Sequence, residues 1–171
     1  FRTNSCGIIL RHETYAVNNV VVDVHPGCYM WIGQRPIDGS KIVGNIFVHT
    51  GEKKEPRRGY RDDGPFYSLA GRLIREMDVW EHLGRMKNVE IDRNVYYIPG
   101  VSEESAEVLD KLRAIGFGES SIYSDPLFVD PAKADFSLQP GSPALEMGIK
   151  SLDMSKIGLT EDFPRRVERT E

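Results

Sequence analysis

The sequence lacks a basic stripe: net charge is −4 and the two signs are interspersed, which argues against a nucleic-acid partner. Its densest cations, Lys53-Lys54 and Arg57-Arg58, are diluted by Glu52, Glu55, Asp62 and Asp63. No apolar run reaches the ~18 residues that a membrane span needs. Cysteine is scarce, and Cys6 and Cys28 are not arranged as a zinc site. The familiar catalytic signatures are missing too. Pro140-Gly141-Ser142-Pro143-Ala144 imitates a nucleophile elbow without its closing Gly, and His12-Glu13 has no second His four residues on. Gly116-Phe117-Gly118 lacks the third Gly of a dinucleotide loop. The first residue is Phe1, and the lack of a leader there leaves the compartment open. What is present is ordinary for one domain with a real core: 171 residues, 40% hydrophobic and 28% charged. Sixteen Gly and ten Pro, mostly between short apolar runs, argue for many turns and against a helical bundle.

Those short runs repeat. Asn19-Val20-Val21-Val22, Asn45-Ile46-Phe47-Val48 and Asn94-Val95-Tyr96-Tyr97 each place three β-branched, apolar or aromatic residues after an Asn, at spacings of 26 and 49. A second series, Cys6 to Leu10 against Cys28 to Ile32, is spaced by 22. Units of this length, each with two or three short strands, suit stacked coils whose apolar edges close only on their neighbours. Asn at a corner tolerates left-handed backbone, and its amide can pair with the Asn of the next coil. A β-sandwich with strands at 8- to 12-residue spacing stays open on periodicity alone.

Two segments have helical period instead. Ser102 caps a run with Glu103 and Glu104 in its first turn, Val108, Leu109, Leu112 and Ile115 on one face, and Gly116 as terminator. This predicts a helix over about 102–116. Leu69, Leu73, Met77 and Trp80, ended by Gly84, predict a second over about 68–84, which accounts for the longer spacing before Asn94.

Between Tyr123 and Gly148 the prolines dictate the backbone. Asp125-Pro126 and Asp130-Pro131 bracket Leu127-Phe128-Val129, and Asp135-Phe136-Ser137-Leu138 leads to Pro140-Gly141-Ser142-Pro143-Ala144. Each Pro pushes the residue before it out of the helical region, so short extended pieces joined by turns result. Such pieces are expected to lie on an existing scaffold rather than to make a sheet alone. This stretch resembles the closing coils of right-handed parallel β-helix proteins of the pectate-lyase-like kind, most of which are secreted enzymes acting on polysaccharides. The resemblance implies an all-β solenoid: C-terminal coils over 1–148 with one or two inserted α-helices, and a covering tail over 149–171. It implies a secreted or periplasmic polysaccharide-active protein, most readily a glycoside hydrolase. A polysaccharide lyase, or a non-catalytic glycan-binding or structural module, is the alternative. The partners expected are a polysaccharide or oligosaccharide and, through an uncovered N-terminal edge, missing coils of the same protein or another copy.

The repeat register places Asp23 one coil from His49, within ~4.8 Å of backbone spacing. A carboxylate beside an imidazole is a proton-transfer pair and would hold the His protonated. An ordinary ladder pair at a corner is the plainer reading. Arg11, His12 and Glu13 emerge where Ile8-Ile9-Leu10 leaves the core. On the groove face that the resemblance implies, Arg11 and His12 would bind substrate, and Glu13 would join Asp23 and His49 in acid–base work. A polar turn serves equally well. His25 reads as a turn residue, and His82 as a cation near a helix C-terminus. Tyr29 and Trp31 read as core or as a stacking surface. No cofactor or metal is expected; calcium has only Asp62-Asp63-Gly64 to recommend it, against the six to eight oxygens such a site collects. Cys6 and Cys28 are expected to neighbour each other.

Overall fold

The computed structural model describes residues 7–10, 12–24, 28–31, 38–50, 66–70 and 79–152. Nearly all its strands are three or four residues long, and they pair across passes of the chain rather than with their sequence neighbours. The first pass supplies β1 (Ile8–Leu10), β2 (Tyr15–Val17) and β3 (Val20–Val22). The second supplies β4 (Cys28–Trp31), β5 (Lys41–Val43) and β6 (Ile46–Val48). The third supplies β7 (Tyr67–Ala70), β8 (Glu90–Asp92) and β9 (Val95–Tyr97). Three parallel sheets follow, β1-β4-β7, β2-β5-β8 and β3-β6-β9, the last extended by β10 (Ile122–Tyr123). Val20 lies opposite Ile46 and Ile46 opposite Val95, the register expected from the Asn-led segments.

At the corner between the second and third sheets the Asn residues stack. Asn19 donates its backbone N–H and Nδ2 to Asn45 Oδ1, both at 2.9 Å. Asn45 donates the same two groups to Asn94 Oδ1 at 2.9 and 3.1 Å, and the Asn94 N–H ends the series on Ser121 Oγ. The left-handed turn falls one residue earlier than expected, on Asn18, Gly44 and Arg93, with φ of 56°, 65° and 52°. Each Asn is thus freed to extend its amide along the stack.

Alternation along the third sheet creates two cores. Val21, Phe47 and Tyr96 point inward, where Phe47 and Tyr96 stack at 5.5 Å and the Tyr67 and Tyr96 hydroxyls lie 2.5 Å apart. Ile46, Val48 and Val95 point outward and are covered by Phe128, Leu138, Ala144 and Ile149. Full burial of side chains this size contributes about 1.5–3 kcal/mol each.

The expected all-β class, a right-handed parallel β-helix solenoid, is corrected by these observations. The described residues form parallel sheets with helices between their strands, an α/β arrangement. The helices are structural members of the core: α1 (Val79–Gly84) contributes Val79 and Leu83, and α3 (Val108–Ala114) contributes Val108, Leu109 and Leu112. The helix expected over 102–116 is broken into α2 (Glu103–Ala106) and α3, because Glu107 adopts φ of 54°. That expected over 68–84 is described as helix only in α1, since Leu69 belongs to β7.

The closing segment does not add a further pass. It folds on itself as an antiparallel pair, β11 (Phe128–Asp130) with β12 (Asp135–Leu138), followed by α4 (Pro143–Glu146). A 3₁₀ turn over Pro131–Lys133 and left-handed Ala134 reverse the chain, so the prolines assist pairing instead of preventing it. Cys28 lies opposite Ile8, a spacing of 20 rather than 22. A slip of two leaves every side chain on its face. Cys28 is buried, and Cys6 lies outside the described residues.

Candidate functional site

The outward face of the β2-β5-β8 sheet is built by the alternation of strand side chains. Ala16, Ile42 and Ile91 turn into the core, so Tyr15, Lys41 and Glu90 form one outward row in register, and Val17, Val43 and Asp92 a second, in which Val43 is itself buried. Tyr15 is 65% exposed and Val17 55%, an aromatic and an aliphatic surface side by side on a rigid strand. On β8, with β5 between it and Tyr15, Glu90 holds two cations: Lys41 Nζ donates to its Oε2 at 2.8 Å, and Arg93 Nη2 to its Oε1 at 3.3 Å. The hydrogen bond and charge of Glu90 raise the Lys41 ammonium above its ordinary pKa, against a smaller opposing push from Arg93. Asp92 Oδ1 accepts the Ser120 N–H at 2.8 Å and is committed to that turn. The arrangement is a shallow polar–aromatic platform, able to stack a planar or ring-shaped ligand on Tyr15 while donating from Lys41 and Arg93.

This face was missed in the sequence, although a signal for it exists. Tyr15, Lys41 and Glu90 each stand four residues before a ladder Asn, so carrying the repeat backward would have aligned them.

The residues singled out from the sequence lie elsewhere. Asp23 follows β3 and His49 follows β6; because Val22 pairs with Val48, the two are next in register. Asp23 has φ of 52°, and its Oδ1 accepts from Thr50 twice, from N at 2.8 Å and Oγ1 at 2.6 Å. Thr50 was not foreseen, though a hydroxyl one residue past a strand end is a common partner for a turn carboxylate. His49 is buried at 7% exposure, its N–H donating to Tyr97 O at 3.0 Å, so the outward position expected of it is not observed. His12 and Glu13 do come together, His12 Nε2 lying 3.7 Å from Glu13 Oε1 in an exposed turn. Glu13 precedes β2 whereas Asp23 follows β3, with two strands and the Asn corner between them. Arg11, His25 and Asp62-Asp63-Gly64 lie outside the described residues.

His82 departs from expectation in charge. Burial, helped by Arg85, lowers its pKa, so the ring is neutral rather than a cation at the helix end; its Nδ1 meets no partner among the described residues. Three exposed carboxyl groups are pushed down: Glu104 by its own backbone N–H and Ser102, Glu107 by Lys111, and Asp135 by the Ser137 N–H. Among the described residues no three His, Cys, Asp or Glu side chains gather as a metal site would require, and no helix there is long and apolar enough to cross a membrane. No family model, curated protein or solved structure matches the chain.

Proposed function

We propose that the chain is a glycan-binding module whose platform is the outward face of β2-β5-β8. The observation that carries this reading is Tyr15, 65% exposed at the start of β2 and in register with Lys41 of the Lys41–Glu90–Arg93 cluster. A solvent-facing ring on a sheet, with the Lys41 donor opposite it on the neighbouring strand, suits the apolar face and hydroxyl rim of a sugar. A place outside the cytoplasm, secreted or periplasmic, is part of the same proposal. The test is titration calorimetry against a panel of neutral and acidic polysaccharides. At least one is expected to bind, and Tyr15→Ala to weaken it tenfold or more, about 1.4 kcal/mol. Binding unchanged by that substitution would overturn the assignment of the face.

The enzymatic reading, a glycoside hydrolase or else a polysaccharide lyase, draws support from one observation, the adjacency of Asp23 and His49 in register. A glycosidase acid needs a carboxyl group whose pKa is raised, and a hydrolase needs two carboxyl groups facing one groove. Turnover of any glycan that Asp23→Ala or His49→Ala abolishes would favour the enzyme over the binding module.

A further inference from the structure

Glu90 is the only described carboxylate ion-paired to two cations from different elements of this face, Lys41 on β5 and Arg93 in the corner after β8. Each oxygen serves one cation, Oε2 toward Lys41 and Oε1 toward Arg93. All three groups are solvent-accessible, with side-chain exposures of 49% for Lys41, 51% for Arg93 and 38% for Glu90. Without Glu90, two cations would face solvent together, with Lys41 in register with Tyr15. That is the pattern that captures a uronate carboxylate or a sulfate ester, Arg presenting parallel donors and Lys a point charge. With Glu90 in place, a ligand anion must displace a carboxylate already tethered to the same site. A tethered competitor acts at an effective concentration in the millimolar range or above.

Resting on the glycan-binding reading of this face, we propose that Glu90 sets its specificity, occupying both cations so that neutral sugars are admitted and polyanionic ones refused. Tyr15 supplies the stacking surface, Lys41 and Arg93 lend their remaining N–H donors to hydroxyl oxygens, and Glu90 can also accept from a hydroxyl. An acidic polymer meets no net positive charge, because Lys41 and Arg93 are balanced by Glu90 and Asp92 on the same strand.

The experiment compares wild type, Glu90→Gln and a charge-matched control, Glu146→Gln, for binding to polygalacturonate and dextran sulfate at low salt. Glu146 is exposed on α4, over the other core. Glu90→Gln is expected to bind the polyanions at least tenfold more tightly than wild type, and the gain should fade as salt screens it. Glu146→Gln should change binding less than about twofold, as expected for one distant exposed charge. Adding Arg93→Gln to Glu90→Gln should abolish the gain. Equal effects of the two single variants, or a wild type that binds polyanions as tightly as Glu90→Gln, would overturn the proposal. Failure of every neutral glycan to bind, with the Glu90→Gln gain intact, would instead sink the glycan-module reading and leave the charge gate standing.

Discussion

Replacing Asn45 with Ala would remove four hydrogen bonds at once. Its Oδ1 accepts from Asn19 N and Nδ2 at 2.9 Å each, and its Nδ2 donates to Ala16 O at 2.9 Å and Asn94 Oδ1 at 3.1 Å. At a net contribution of about 1 kcal/mol per bond, the loss approaches ~4 kcal/mol. Asn19 is exposed, so water can satisfy its two donors, whereas the losses at Ala16 and Asn94 fall in buried surroundings: Ala16 O loses the Asn45 amide, and Asn94 Oδ1 keeps only the backbone N–H of residue 45. Asn45→Ala is therefore expected to cost about 3–4 kcal/mol, a large fraction of a typical domain's ~5–15 kcal/mol. Asn19→Ala removes two donations at the wet end of the same ladder, to Val17 O and Asn45 Oδ1, and should cost about 1 kcal/mol. Urea unfolding followed by far-UV circular dichroism measures both, provided m is unchanged. If Asn19→Ala were as damaging as Asn45→Ala, burial would not be what gives the ladder its strength.

Three further outcomes are expected. The Tyr67 and Tyr96 phenols are held protonated well above their ordinary pKa by burial. Only the unfolded chain can ionise them, so stability should fall above about pH 10, by up to ~1.4 kcal/mol per pH unit for each phenol. Tyr67→Phe should flatten that slope, and an unaltered alkaline limb would contradict it. His82 is kept neutral when folded, so the unfolded chain takes up the extra proton; stability should decline as pH drops below about 6.5, and His82→Gln should remove that component. Glu107 sits at φ of 54° with only an exposed ion pair to Lys111, so Glu107→Gly should raise the melting temperature, the relief of about 1 kcal/mol of left-handed strain exceeding the lost pair; a lower melting temperature would show that the pair or backbone entropy dominates.

The strand register was legible because it is written in residues with one physical solution. An Asn followed by three strand-forming residues, repeated at 19, 45 and 94, can satisfy its amide only by stacking, and the parallel pairing of β3, β6 and β9 follows. The helices were legible in existence and not in role: periodicity marked Val108, Leu109 and Leu112 as one face without saying what that face covers. Hence the all-β class was wrong, since a helix inserted at a corner and a helix forming the core share the same pattern. The closing segment misled for a related reason. Its prolines report local backbone, whereas the pairing of Phe128 with Leu138 depends on Ala134 adopting a left-handed turn that its side chain does not advertise. For the site, the titratable residues that stand out singly lie at strand ends. The outward face is marked instead by a Tyr, a Lys and a Glu that are unremarkable singly and meaningful only in register.

The bond from the Lys150 N–H to Asn18 Oδ1 joins positions 132 residues apart. Together with the covering of Val20 and Val22 by the closing segment, it makes the first strands wait for the last ones. Contacts of such long range form late, because the intervening chain must be ordered before they are rewarded. During synthesis the outward stripe of Ile46, Val48 and Val95 emerges long before Phe128, Leu138 and Ile149 exist to shield it. A ribosome that stalls near Asp125 would release a chain with its inner core formed and its outer stripe bare, a surface suited to chaperones or to another such chain. The order in which the residues are made thus decides when this protein is vulnerable, and the vulnerable interval closes only at Lys150.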